Sequence, residues 1–493
     1  MRGDLLPLQA LLLPEMKESL RGALIVLAIV AVQIVLAGAV LLRPQKRQSS
    51  SLAWILVILT LPGLGALAFF LFGEVRMGTK RVRRHRDIVQ RIRTARIEQW
   101  QGEVPPELPK AYRPIAALAY LIGETTPHGG NRLQLLAGTE DVIESLVRDI
   151  DRAERHCHLL YYIYMPDASG QKVAQALIRA AGRGVQCRLL VDAVGSARLL
   201  DSMLKRELRK GGVDVVAALP THLRLSAGRI DLRNHRKIAV IDGLVAYTGS
   251  HNVADAAFAT KPRFAPWVDA TVRVQGPAVR DLQELFIQDW YMDKDESHED
   301  LLAISPPEEV GGVPVQVMGT GPNCKNDALV QLMQAAFHTA REELILTTPY
   351  FVPDEGTLDA LATASLRGVS TILVVPRRND SWLVGAASRS FYEPLLEAGV
   401  EIFEYTKGLL HAKTITVDRN GALVSTANLD RRSFELNFEV SLSVYDSDFA
   451  SHLRFLQRSY MEDSEPIDAS RWSGRRWPRR IAHNAAGILA PLL

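Results

Sequence analysis

Two stretches of the chain share one spacing of chemically capable residues. His235-x-Lys237-x4-Asp242 recurs as His411-x-Lys413-x4-Asp418, and each histidine is followed at the same interval by an asparagine, Asn252 or Asn428. One such triplet arises by chance in 493 residues; two, with the same downstream amide, do not. Two imidazoles and two ammonium groups, gathered with amide donors, would hold a tetrahedral anion, and a phosphodiester is the natural guest. One histidine could attack phosphorus to form a phosphohistidine while the other protonates the departing alkoxide. Lys237, Lys413, Asn252 and Asn428 would then stabilise charge developing on the non-bridging oxygens. With that positive charge supplied by side chains, the pattern calls for no metal ion and no cofactor, and no obvious carboxylate cluster is present to hold Mg²⁺.

Such groups need elements to aim them. Residues 236–241 and 414–417 have strand composition, and each run meets a turn signal, Asp242-Gly243 or Asn420-Gly421. On a strand, residues i and i+2 share a face, so His235 points with Lys237 and His411 with Lys413. The candidate catalytic set is therefore His235, Lys237, Asp242, His411, Lys413 and Asp418. Asp242 and Asp418 have the opposite parity and are expected to hold loop geometry instead of touching the ligand. A bland alternative makes these residues salt-bridged sheet edges. Neighbouring buried His and Lys repel when charged, however, and an anion between them removes that objection.

The motif belongs to a longer repeat. Expected strands at 158–165 and 185–191 flank a helix at 173–181, and the order returns at 344–346, 357–366 and 371–375. Arg183-Gly184-Val185 returns as Arg367-Gly368-Val369, and Gly211-Gly212-Val213 as Ala398-Gly399-Val400. Strands alternating with helices define an α/β protein, here two duplicated halves of mixed sheet flanked by helices around a pseudo-twofold axis. The expected divisions are an N-terminal segment 1–75, a basic linker 76–110, repeat one at 111–300 and repeat two at 301–463, with a seam near 293–313. A Trp/Arg-rich tail at 464–493 follows, and membrane-surface contact and packing on the domain are equal alternatives for it.

Residues 23–42 and 52–73 carry no charge over twenty and twenty-two positions. Each would span roughly 30 Å as a helix, which predicts a transmembrane hairpin. The heavier basic count, from Arg76 to Arg86 and at Arg2, Lys17 and Arg21, lies on the side of both termini, so the C-terminal portion should face the cytoplasm. A net charge of +3 argues against a general nucleic-acid coat, and three cysteines argue against a disulfide framework or a structural zinc site. Nothing in this pattern fixes an oligomeric state.

The duplicated motif, with Gly249-Ser250-x-Asn252 after its first copy, resembles the phospholipase D superfamily. Thr348-Pro-Tyr-Phe-Val-Pro-Asp354, His411-Ala-Lys-Thr414 and Asn428-Leu-Asp-Arg-Arg-Ser-Phe434 with Asn437-Phe-Glu439 are similar to bacterial cardiolipin synthases, as are the paired apolar segments and the Leu71-Phe-Gly-Glu74 exit. That resemblance implies transfer of a phosphatidyl group between two phosphatidylglycerols, giving cardiolipin and glycerol, at a bacterial inner membrane. Its partners would be membrane phospholipids and the bilayer, with no nucleic acid. It also implies His235 as nucleophile, His411 as general acid, and Asp269 and Glu439 as carboxylates on following strands that orient the histidines. Ser250 and Thr426 join Asn252 and Asn428 as supporting residues. Ser425 stands where the family usually has glycine, so a positive φ there would strain it. Competing readings are a phosphodiester-cleaving hydrolase or nuclease, and a catalytically dead membrane scaffold.

Overall fold

The computed structural model describes residues 14–42, 48–72, 79–99, 105–220, 231–258, 261–294, 296, 298, 310–322 and 327–488. Residues 299–309, most of the expected seam, and the basic connection 43–47 lie outside this set. The chain divides into two units, residues 1–76 with 228–231 and the remainder.

In the first unit, the helix Pro14–Leu41 contains the stretch Ser19–Leu41, long and apolar enough to cross a membrane. The second apolar stretch corrects the sequence expectation of one continuous span. It forms two helices, Gln48–Thr60 and Leu64–Phe72, of 13 and 9 residues, parted at Pro62 and Gly63. Proline lacks the amide donor a continuous helix needs, and Gly63 takes a positive φ of 79°. Absence of charge suggests one continuous helix; the breaker pair interrupts it. Leu36, Val40, Ile58 and Phe69 join the three helices. Gln33 Nε2 donates to the carbonyls of Ile58 (2.8 Å) and Leu59 (3.1 Å), two of the orphan acceptors at a helix end.

Much of the expected basic linker folds as the helix Thr79–Gln99. Ile88 and Ile92 enter the core beside the helix Val279–Lys294, and Arg81 pairs with Asp293 at 2.9 Å. Apolar residues spaced by four on a basic helix give it one face to bury.

Among the described residues a 16-stranded mixed sheet runs through both halves. At its centre His128–Leu136 pairs antiparallel with Val313–Thr320. Moving outward on one side come Thr271–Gln275, Val245–Gly249, Ile238–Ile241, His156–Tyr161, Gln186–Asp192 and Asp214–Ala218. On the other side come Asn437–Val444, Gly421–Ser425, Thr414–Val417, Glu343–Thr347, Ser370–Pro376 and Glu401–Tyr405. Each half thus repeats the same order away from the central pair, antiparallel near the centre and parallel further out, and the second half ends in an added antiparallel edge strand, Ser464–Pro466. The helices Val279–Lys294 and Ser447–Glu462 share a core beneath the junction, where Phe286 and Trp290 meet Val317, Leu442 and Phe449.

The sequence repeats carry matching local devices. Gly184 and Gly368 take φ of 92° and 88°, and Gly212 and Gly399 take 87° and 90°, so each helix ends in the same left-handed turn. Arg183 Nη2 donates to the carbonyls of Ile150 and Ala153; Arg367 Nη2 does so to those of Phe337 and Ala340. Both arginines satisfy the acceptors at the end of a neighbouring helix.

Candidate active site

Each His-x-Lys segment is an irregular step between a short strand pairing and a longer strand. His235 follows Arg233–Asn234 and precedes Ile238–Ile241; His411 follows Leu409–Leu410 and precedes Thr414–Val417. The short pairings cross between halves. Phe438 lies opposite Asn234, and Val268 opposite Leu410, both in parallel register. His235 N–H donates to the Phe438 carbonyl at 2.9 Å, and His411 N–H to that of Val268 at 2.7 Å.

That register sets the chemistry, because the next residue on each partner strand is a carboxylate. His235 Nδ1 bonds Glu439 Oε2 at 2.9 Å, and His411 Nδ1 bonds Asp269 Oδ1 at 2.7 Å. Each histidine is therefore oriented by the opposite half, where the resemblance had placed both carboxylates only on following strands. Thr426 Oγ1 donates to Glu439 Oε2 (2.5 Å) and Ser250 Oγ to Asp269 Oδ1 (2.7 Å), completing two equivalent relays. A carboxylate on Nδ1–H fixes the tautomer and leaves Nε2 for chemistry.

Lys237 Nζ donates to the carbonyl of His235 at 2.8 Å, and Lys413 Nζ to that of His411 at 2.6 Å. His235, Lys237, His411 and Lys413 are all buried. Burial, with the nearby lysine charges, lowers both imidazoles to about 4, although the paired carboxylates oppose that shift. Lys413 acts on His235 and Lys237 on His411, so the groups of the two halves share one electrostatic environment. Burial likewise lowers Lys237 to about 8 and Lys413 to about 7; the charge of Lys237 adds to the second shift. Burial alone would raise Asp269 and Glu439, but the facing histidines and lysines hold both below the ordinary carboxylate range. Two ionised carboxylates thus stand behind two neutral imidazoles, with two easily neutralised ammonium groups beside them. A monoanionic ligand would favour the charged forms of the two lysines and of one imidazole, leaving the other imidazole neutral.

Asp242 and Asp418 stand apart from this cluster. Asp242 accepts from the backbone N–H of Glu154, Arg155 and His156, and Asp418 from those of Arg341, Glu342 and Glu343. Both take positive φ, 55° and 49°. Both side chains thus hold the turn that ends each motif strand, the loop role that their parity predicts. Asn252 Oδ1 accepts from Ile163 N–H at 3.0 Å, which holds the Tyr162 loop, while Asn428 Nδ2 donates to Asp430 Oδ2 at 3.2 Å. Ser425 escapes the expected strain. Its counterpart Gly249 has φ 150°, and a Cβ there would meet the Ala270 carbonyl oxygen at 2.3 Å, but Ser425 is not at positive φ and its Oγ bonds Ser441 Oγ at 2.9 Å.

Three neighbours escaped the sequence reading. The Tyr162 ring lies 4.8 Å from that of His235 and 5.4 Å from Lys237 Nζ, and Trp267 lies 4.6 Å from His411. Arg236, between the motif residues, is buried against Asp289 (2.9 Å) and donates to the Glu439 carbonyl at 3.1 Å. Aromatics abutting the motif strands were the available signal for the first two. Arg236 gave none, since its half-two counterpart is Ala412. Among the described residues no group of three or more His, Cys, Asp or Glu is disposed to hold a metal.

A duplicated α/β sheet with one His-x-Lys step from each half defines a phospholipase D-like protein. The family described as "Cardiolipin synthase, PLD-like domain" matches residues 146–290 and 333–457, and "Phospholipase_D-nuclease N-terminal" matches 25–74. Cardiolipin synthase A of Serratia proteamaculans (strain 568) is 37% identical over 474 residues, covering 93% of this chain and 96% of that one. Its namesake in Erwinia tasmaniensis is 38% identical over 477 residues, with the same coverage. The crystal structure of phosphatidylserine synthase from Haemophilus influenzae Rd KW20 shares the fold, at TM-score 0.58 and 14% identity over 78% of this chain and 98% of that one. The chain belongs to the cardiolipin synthase family. Membership and the apolar helix Pro14–Leu41 together mark an inner-membrane protein.

Proposed function

We propose that this phosphatidyltransferase makes cardiolipin from two phosphatidylglycerols through a phosphohistidine. The observation that carries this reading is the pair of crossed His–carboxylate couples flanked by two lysines. His235 Nε2 attacks the phosphorus of the first lipid, and the bond to its glycerol headgroup oxygen breaks. His411, charged by the neighbouring phosphodiester, gives that oxygen a proton, and glycerol leaves. The hydroxyl of a second phosphatidylglycerol then attacks the phosphohistidine while His411 takes its proton, the P–N bond breaks, and cardiolipin is released. Lys237 and Lys413 balance charge on the non-bridging oxygens throughout. The two couples are alike in geometry, so the assignment of His235 as nucleophile follows the family.

For the membrane part, the helices Gln48–Thr60 and Leu64–Phe72 together make a second, kinked crossing, with the catalytic unit on the cytoplasmic side where the basic residues concentrate. Reporter fusions after residues 45 and 76 should give opposite signals.

The decisive assay supplies labelled phosphatidylglycerol to the purified protein without added divalent metal. Cardiolipin and glycerol in equal amounts are expected, and His235→Ala and His411→Ala should each abolish them. Phosphatidic acid as the only product would make the protein a hydrolase.

A further inference from the structure

We propose that the helices Trp382–Ser390 and Trp477–Ile488 form a docking face for an anionic bilayer surface at the rim of the active site; the proposal rests on the reading that the substrate is a membrane phospholipid. The helix Trp477–Ile488 packs inward through Ala486, which meets Ala387 and Val352, and through Gly487, where a Cβ would approach Ser390 Oγ to 2.4 Å. At about 100° per residue, Trp477, Ile481 and Ile488 fall within about 40° of arc on the opposite side. They are 73%, 58% and 78% exposed, and Trp382, opening the partner helix, is 80% exposed. An apolar stripe that points away from the core needs another partner.

Charge identifies that partner. From Ala469 to Ile488 the chain holds five arginines and no acidic residue. Glu393 holds Arg475 and Arg480, each at 3.3 Å, and Arg475 also covers the Trp472 ring at 4.0 Å. Arg471, Arg476 and Arg479 are exposed. Exposed indoles and isoleucines in an arginine-rich segment without acidic residues suit the headgroup layer of a membrane rich in anionic lipid.

The face adjoins the chemistry. Asp380, two residues before Trp382, accepts from Tyr350 Oη at 2.7 Å and pairs with Lys261 of the first half at 2.5 Å. The Tyr350 hydroxyl is buried within electrostatic reach of Asp430 and Tyr162, whose ring lies on His235. A bilayer on this face would meet the place where the halves are tied beside the catalytic groups, letting a two-chain lipid enter without leaving the membrane.

The test compares full-length wild type with W477E/I481E in vesicles of phosphatidylcholine and phosphatidylglycerol, and on short-chain phosphatidylglycerol dispersed as monomers. The expected result is a loss of about tenfold or more on vesicles and less than about twofold on monomers, because only the interfacial step is disturbed. Tryptophan quenching by brominated lipid should also be weaker in W477F than in wild type. Equal losses on both substrates, unchanged quenching, or an altered particle mass in detergent (a contact between copies) would each overturn the docking face. If quenching is weaker in W477F than in wild type but wild type makes no cardiolipin from either substrate, the docking face stands and the phosphatidyl-transfer reading falls.

Discussion

At the scale of single residues, the His235 and His411 couples each depend on a carboxylate 204 and 142 positions away in sequence. Removing the charge while keeping the shape should cost the orientation and the support for imidazolium. Glu439→Gln and Asp269→Asn are each expected to lower kcat by about 10²- to 10⁴-fold; a loss under about threefold would contradict the orienting role. The lysines predict a pH effect on binding. Lys413 and Lys237, lowered to about 7 and 8, are charged below those values and lose charge above them. A bound anion raises both again, so binding takes up protons above pH 7. The Ki of a phosphonate analogue of phosphatidylglycerol should therefore weaken as pH rises from 7 to 9, and a constant Ki across that range would refute the assignment. The motif residues were legible because their spacing repeats. The crossing was not, because it follows from the register of Asn437 on Arg233 and Trp267 on Leu409, pairings between distant segments that no local pattern encodes.

At the scale of elements, the motif aspartates belong to the scaffold. Asp418 gathers three consecutive backbone N–H groups at the start of Glu343–Thr347 and closes the turn after Thr414–Val417. Hydrogen bonds to a charged acceptor contribute about 1.5–3 kcal/mol each when buried, and these are partly exposed, so Asp418→Ala should cost about 2–4 kcal/mol in all. A lower thermal midpoint with near-normal turnover well below it is the expected signature; lost turnover in a protein of unchanged midpoint would return Asp418 to the chemistry. Parity along the strand was enough to foresee this role. The same kind of local reading failed at Pro62-Gly63, where an uncharged run outweighed two residues that end a helix, and at 79–99, where basic composition masked the buried pair Ile88 and Ile92.

At the scale of the whole chain, the duplicated order of strands was visible in the sequence as repeated Arg-Gly-Val and Gly-Val turns, but the continuity of the sheet through His128–Leu136 and Val313–Thr320 was not. That continuity decides how the site can be assembled. Each half carries one histidine and the carboxylate for the other, and the central strands and the shared core around Phe286 and Trp290 hold the halves together within one chain. A complete site therefore needs only one polypeptide, whatever the number of copies in an assembly. Mixing His235→Ala with His411→Ala chains should restore no cardiolipin synthesis, because every chain then contains one defective histidine in its only site. If the halves instead paired between chains, half of the sites in a mixed dimer would regain both histidines and activity would return to a sizeable fraction of wild type. Co-expression of the two variants, with product measured per mole of protein, separates these outcomes.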